Sequence, residues 1–346
     1  MLLNMVRHIL AERATSLLAV AVLCAALGFS AGSANADSWA FLPLDAMEVA
    51  AQDQASQSQA LSAIVKAVRA SEVTQSEGDA SFRLTEYRTN RAYEAAAAFA
   101  AGLGTPGSGQ IALQDRETFL RPFVRVTRLV TSGAKTRYES RLLRDPADKP
   151  DKYDEAIAVS DGTRSTCLAP LAGTGRVEKG NATEIRKAYE PWLTLGTVAS
   201  KPVSAIMVLP SARYEGRQSV GDTDCLKVSA VQDSVKYEIW ISPANGYRVK
   251  RIARTRNGPG ADWATSIGEV DSFKEYGDGL WFPNGGKHAE FVAGEATEDK
   301  LFHGVKWSVT SYSSAAASSA FSLALPLGTK MVDATAEKPL LYKVGE

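Results

Sequence analysis

Between Arg213 and Tyr312 apolar residues recur at every second position in one segment after another, and turn residues separate many of the segments. The segments are 213–220, 224–231, 237–256, 266–276, 280–292 and 301–312, with Gly221-Asp222, Pro243-Ala244-Asn245-Gly246, Gly277-Asp278-Gly279 and Gly285-Gly286 as turn signals. A period of two sends successive side chains to opposite faces of a strand. Many such strands with few helices predict a large antiparallel sheet, curled or closed, with no domain boundary inside it. The fold class expected is mainly β with a few helices (α+β).

The first half repeats the pattern less evenly. Phe82, Leu84 and Tyr87 open a strand, and 91–101 is Ala-rich and reads as helix or strand edge. Residues 119–144 read as two strands around Ser132-Gly133-Ala134-Lys135, and their arginines Arg121, Arg125, Arg128, Arg137 and Arg141 read as a solvated sheet face. Another strand pair, 156–159 and 165–168, follows the Pro- and Asp-rich stretch 145–151, and 204–209 reads as strand. Two helices stand out. Leu61, Ile64, Val65 and Val68 lie at helical spacing after a candidate capping pair, Asp45 and Glu48. Asn181 caps a second, with Glu184 three positions on and Ile185, Tyr189 and Leu193 on one side. The glycine-rich run 102–109 is no phosphate cradle, because strand-like 111–113 follows it instead of a helix.

The N-terminus reads as a targeting segment. Arg7 and Arg13 precede an apolar run at 17–27 that is short for a bilayer span, and Ala34-Asn35-Ala36 fits a cleavage site, so 1–36 is expected to be a signal peptide cleaved after Ala36. A lipid anchor at Cys24 is the competing reading, opposed by the bulky Leu23. Residues 37–57 read as a flexible leader and 58–346 as one domain. With 39 basic and 39 acidic residues the chain lacks the basic excess of a nucleic-acid binder. Cys167 and Cys225 are the candidates for a disulfide in an exported protein, against two separate buried thiols.

Catalytic signatures are sparse. Beyond the targeting segment no Gly-x-Ser-x-Gly elbow occurs, and His288 and His303 are the histidines there that can act as a base. His288 and Glu290 share a strand face, and a neighbouring strand is one place for His303; the alternative is two ordinary surface or core histidines, and the spacing is not diagnostic of a metal site. The chain is therefore expected to be non-enzymatic and without cofactor, with a hydrolase built on His288 as the weaker alternative.

Shape then becomes the functional question. In the hairpin 237–256 the residues Tyr237, Ile239 and Ile241 share one face, and after the turn Arg248, Lys250 and Arg254 fall on one mostly cationic row. That row is a candidate surface for an anionic envelope protein or membrane surface. Ile239, Ile241, Val249, Phe273, Trp281, Phe291 and Trp307 are candidates to line an apolar cavity, with Phe82, Val124, Val126, Ile206 and Val208 also read as inward. The alternative is that all of them simply pack the core.

Three stretches carry a family resemblance. They are Trp240-Ile241-Ser242-Pro243-Ala244-Asn245-Gly246, which follows Gly216–Gly221 and Asp224–Val228; Tyr276-Gly277-Asp278-Gly279-Leu280-Trp281-Phe282-Pro283; and the ending 321–333. Together they resemble the bacterial outer-membrane lipoprotein-sorting (LolA/LolB-like) superfamily, with Ser242 where the family's hairpin has Asp. The resemblance implies an incomplete antiparallel barrel with helices covering its open side. It also implies a periplasmic location, an apolar cavity for lipid or lipoprotein acyl chains, and no catalytic residues. A monomer with peripheral or no membrane contact is expected.

Overall fold

The computed structural model describes residues 44–75, 77–102, 116–143, 154–180, 197–198, 201–256, 265–277, 279–292 and 296–346. The expected signal peptide, the linker at 145–151, the strand-like 111–113 and the helix capped by Asn181 lie outside these residues. The chain divides into two compact units, Met1–Gln54 and Ala55–Glu346; in the first, the described residues are helical. Helix α1 runs Leu44–Gln75, so it takes in 44–57 of the expected leader, with Asp45 as its second residue.

Fifteen strands of the second unit form one curved sheet that does not close into a barrel. Strands β1 (Glu77–Arg88), β2 (Phe123–Ser132), β3 (Lys135–Leu143), β4 (Glu155–Ser160), β5 (Arg164–Ala169) and β6 (Thr174–Lys179) meander toward one edge. Strands β9 (Arg213–Val220), β10 (Thr223–Gln232), β11 (Val235–Ser242), β12 (Arg248–Arg256), β13 (Thr265–Glu275), β14 (Trp281–Phe291) and β15 (Leu301–Ser313) meander back from the other edge, until β15 pairs antiparallel with β1. β16 (Lys330–Asp333) then joins β6 in parallel, and β17 (Leu340–Lys343) pairs with β16 as the outermost strand. A two-stranded piece, β7 (Thr197–Val198) with β8 (Lys201–Pro202), stands apart. Helices α2 (Asn90–Gly102) and α3 (Arg116–Leu120) lie between β1 and β2, so the Ala-rich 91–101 is helical.

The period-two segments of the second half all become strands within a residue or two of their expected bounds. Turn chemistry explains the hairpins. Gly246 ends the Pro243–Asn245 turn at φ 66°, a left-handed conformation that glycine adopts without strain. Asp233 and Ser234 both take positive φ between β10 and β11, as a two-residue loop of the type I′ kind requires.

Two expectations fail here. Residues 203–206 are a helical turn, α4 (Val203–Ile206), not the start of a strand. Pro202 fixes the entry at φ −56°, and Glu72 of α1 accepts hydrogen bonds from the Ser204 N–H at 2.9 Å and the Ser204 hydroxyl at 2.5 Å, taking the donor a ladder would have used. Ile206 is buried as expected, but Val208 beyond it is 52% exposed. In β2 the face is opposite to the one expected. Ala80, Phe82 and Leu84 pair with Leu129, Thr127 and Arg125, so these three turn to the core face and Val124 and Val126 turn away.

Candidate functional site

The core face of the sheet carries two apolar clusters. In the first, Ile239, Ile241, Val249 and Ile252 of the central hairpin meet Ile64, Val65 and Val68 of α1 and Ile206 and Met207 beyond it. The spacing of Ile64, Val65 and Val68 puts one helix stripe against the sheet, and among the described side chains of α1 these three are the buried ones. At the side of this core a groove of about 420 Å3 opens between α1 and residues 207–209. Leu61, Val65, Met207 and Leu209 form its apolar part, and Lys66 and Arg69 stand exposed at its rim.

The second cluster is aromatic. Phe82 lies 6.4 Å from both Phe282 and Trp307, Phe282 stacks on Tyr312 at 4.0 Å, and Tyr276 meets Tyr312 edge-on at 4.7 Å. Phe273 and Tyr138 pack against it, half-buried. The seven residues expected to line one cavity are thus divided. Ile239, Ile241 and Val249 lie under α1; Phe273 and Trp307 belong to the aromatic cluster; Trp281 covers the Gly246 turn; and Phe291 is buried at the far end of β14.

The expected cationic face is turned inward. Arg248, Lys250 and Arg254 are 4%, 6% and 8% exposed, so none is presented to a partner. A register shift at β11–β12 places Lys250 in a bulge, and β12 pairs with β13 only from Arg251 to Thr255. Beyond that point the two strands part, leaving backbone carbonyls that need donors. Lys250 Nζ donates to the Val270 and Asp271 carbonyls at 2.6 and 2.9 Å, and Arg248 donates to Trp281 O and to Ser71 O of α1 at 2.9 and 2.7 Å. Burial pushes the Arg248 guanidinium down to about 10.

At the opposite end of the same face the register assembles a charged row. Arg254, Ser266, Glu290, His303 and Arg88 stand opposite one another across β12, β13, β14, β15 and β1. Glu290 lies 3.5 Å from His288 and 3.7 Å from His303; His303 reaches Glu86 at 3.7 Å, and Glu86 reaches Arg125 at 3.4 Å. Burial works against the charge on His303, but the carboxylates of Glu290 and Glu86 outweigh it and raise the imidazole to about 9. Burial likewise disfavours the Glu290 carboxylate, and the two histidines overcome it and hold it well below the usual range. His288, Glu290 and His303 therefore do come together. Glu86 and Arg125 join them from strands more than a hundred residues away in sequence, which no local spacing signals. Among the described residues no group of three His, Cys, Asp or Glu is placed to hold a metal ion.

Cys167 and Cys225 remain thiols, on β5 and β10, which lie in opposite halves of the sheet. Burial pushes the Cys225 thiol up to about 11. The opposite face of the sheet carries a small apolar cluster, Val220, Cys225, Trp240 and Ala253, and beside it a polar row. Lys227, Trp240, Arg251, Glu269, Lys287 and Lys306 form one lateral row, with Lys227 and Arg251 both over the Trp240 ring.

No protein-family model matches the chain, and no curated protein matches it. Among solved structures, similarity extends to a DUF1329 family protein from Desulfovibrio piger, with a TM-score of 0.41 and 10% identity over 76% of this chain and 97% of that one. An uncharacterized conserved protein from Thermus thermophilus has a TM-score of 0.31 and 11% identity over 79% and 98% of the two chains. The Pseudomonas aeruginosa MucA/MucB complex gives a TM-score of 0.25 and 8% identity, covering 73% of this chain and 99% of that chain.

Proposed function

We propose that this chain is a non-catalytic binding protein for a ligand with an apolar chain and an anionic head, held in the groove between α1 and residues 207–209. The groove itself carries the reading. Its volume of about 420 Å3 falls in the range of small-molecule sites, its apolar part continues into the core beneath the helix, and its rim is cationic at Lys66 and Arg69. Each methylene buried there contributes about 0.8 kcal/mol, and a carboxylate or phosphate head gains charge-assisted hydrogen bonds at the rim. A lipid or a lipoprotein acyl chain has this chemistry. The reading agrees with the family that the hairpin 240–246 resembles, and the expected signal peptide 1–36 points to work in the periplasm after cleavage.

The test is native mass spectrometry of protein purified without detergent, together with displacement of a fluorescent fatty-acid probe. Bound lipid is expected, and probe binding should fall when Lys66→Glu and Arg69→Glu are combined or when Val208→Asp puts a charge beside the apolar part. Absence of both copurified lipid and probe binding would sink the proposal. So would binding indifferent to all three substitutions.

A further inference from the structure

On the face of the sheet away from α1, the register assembles a cationic field that no single strand carries. The lateral row that begins at Lys227 continues through Arg251, Glu269 and Lys287 to Lys306 on β15. Two residues along, a second row runs Ser308, Arg83, Val126, Arg141 and Glu155 across β15, β1, β2, β3 and β4. Together the rows set six cations, Lys227, Arg251, Lys287, Lys306, Arg83 and Arg141, against two carboxylates, Glu269 and Glu155.

Ion pairing leaves this excess in place. Glu269 is shared between Arg251 at 3.7 Å and Lys287 at 3.4 Å, and Lys227 is taken by Glu238 at 2.9 Å. Lys306, Arg83 and Arg141 make no ion pair among the described residues. Lys287 and Lys306 stand directly opposite each other, and Arg83 is one diagonal step from Lys306. Like charges so placed cost stability. Beside them the same face does pair opposite signs, as where Arg128 meets Glu139 at 3.8 Å, so the unpaired cations are a local feature. Arg137, on this face too, donates to the Ala320 and Ser322 carbonyls at 3.0 and 2.9 Å and holds the segment after β15 over the sheet. Arg83, Arg141, Lys287 and Lys306 lie beyond that cover, and all four are exposed.

The field has no apolar anchor to offer a partner. None of the exposed large hydrophobic residues lies within it, and Trp240 is buried with Lys227 and Arg251 over its ring. Protein interfaces are organised around apolar and aromatic anchors, with charge at the rim. An open face of lysine and arginine instead suits a layer of fluid anionic headgroups, where each cation gains attraction without a fixed partner geometry. The chain as a whole balances 39 basic against 39 acidic residues, so the attraction belongs to this face and gives the protein an orientation. We propose that Arg83, Arg141, Lys287 and Lys306 dock this protein on the anionic surface of a lipid bilayer. The contact is peripheral, and the groove at α1 lies on the opposite face of the sheet.

Co-sedimentation of the exported, purified protein with lipid vesicles tests this, with circular dichroism to confirm that each variant is folded. Vesicles of phosphatidylcholine mixed equally with phosphatidylglycerol should bind the protein, those of phosphatidylcholine alone should not, and high salt should release it. Lys306→Gln and Arg83→Gln should each weaken binding about fivefold, and the triple variant with Lys287→Gln on the order of a hundredfold. The triple variant should bind a fatty-acid probe as the wild type does, because its changes lie across the sheet from the groove. Failure of the wild type to bind the mixed vesicles overturns the proposal, whether or not the probe binds. Equal binding to the neutral vesicles overturns it, and so does binding that the triple variant retains. Capture of polyglutamate in place of the mixed vesicles would also overturn it and assign the face to an acidic protein.

Discussion

Lys250 donates its buried ammonium to the Val270 carbonyl oxygen at 2.6 Å, across the gap that opens where β12 and β13 cease to pair. A residue that reads from sequence as part of a cationic surface instead supplies the hydrogen bond that a missing stretch of ladder would have made. Lys250→Met keeps most of the apolar stem but leaves the Val270 and Asp271 carbonyls without this donor. The expected loss is about 2 kcal/mol of stability, read from urea denaturation. An unchanged midpoint would mean that water or another side chain satisfies those carbonyls equally well.

The charged row around His303 makes stability depend on pH in both directions. The folded pKa of His303, about 9, lies above the ordinary value of about 6.5. Its contribution is therefore complete below about pH 6.5 and fades as pH rises through about 9. Glu290 is held below the ordinary carboxylate value of about 4.3, so its contribution is present above that pH and declines as the solution becomes more acidic. Thermal denaturation across this range should give a plateau with two falling limbs. His303→Gln should flatten the alkaline limb, and a variant whose alkaline limb matches the wild type would remove His303 as its cause.

Gly286 is required by close packing. A Cβ built there would stand 2.4 Å from the Glu269 carbonyl oxygen and 2.4 Å from the Trp307 ring, and the first of these is backbone that cannot turn aside. Gly286→Ala should cost about 2 kcal/mol by overpacking. It should also alter the near-ultraviolet circular dichroism of Trp307. A neutral effect on both would show that β13 and β14 can separate slightly at no cost.

The thiols should behave independently. With Cys225 buried and its pKa raised to about 11, a maleimide should label Cys167 first in the native protein and reach Cys225 only on unfolding. Reductant should leave the melting temperature unchanged, whereas reducing a bridge would lower stability by about 2–4 kcal/mol. A reductant-sensitive melting temperature would contradict the separation of β5 and β10.

The sequence alone determined the strand content, the hairpin turns and the helix stripe of Ile64, Val65 and Val68, because each depends on periodicity and turn dihedrals within a few neighbouring residues. It also put His288 and Glu290 on one strand face by alternation, with a neighbouring strand as one place for His303; the pairing of β14 with β15 brings the three together. Only the tertiary structure decided where Arg248, Lys250 and Arg254 point. A one-residue bulge and the early end of one strand pairing account for Lys250, and the pairing of Arg254 with Tyr237 and Ser266 puts it on the core face; none of these leaves a mark at the level of residue type. Glu86 and Arg125 joined the histidines for a similar reason: the pairing of β1 with β15 depends on the path of the whole chain. The turn at Val203–Ile206 is tied to Glu72, a distant side chain that accepts from both donors of Ser204.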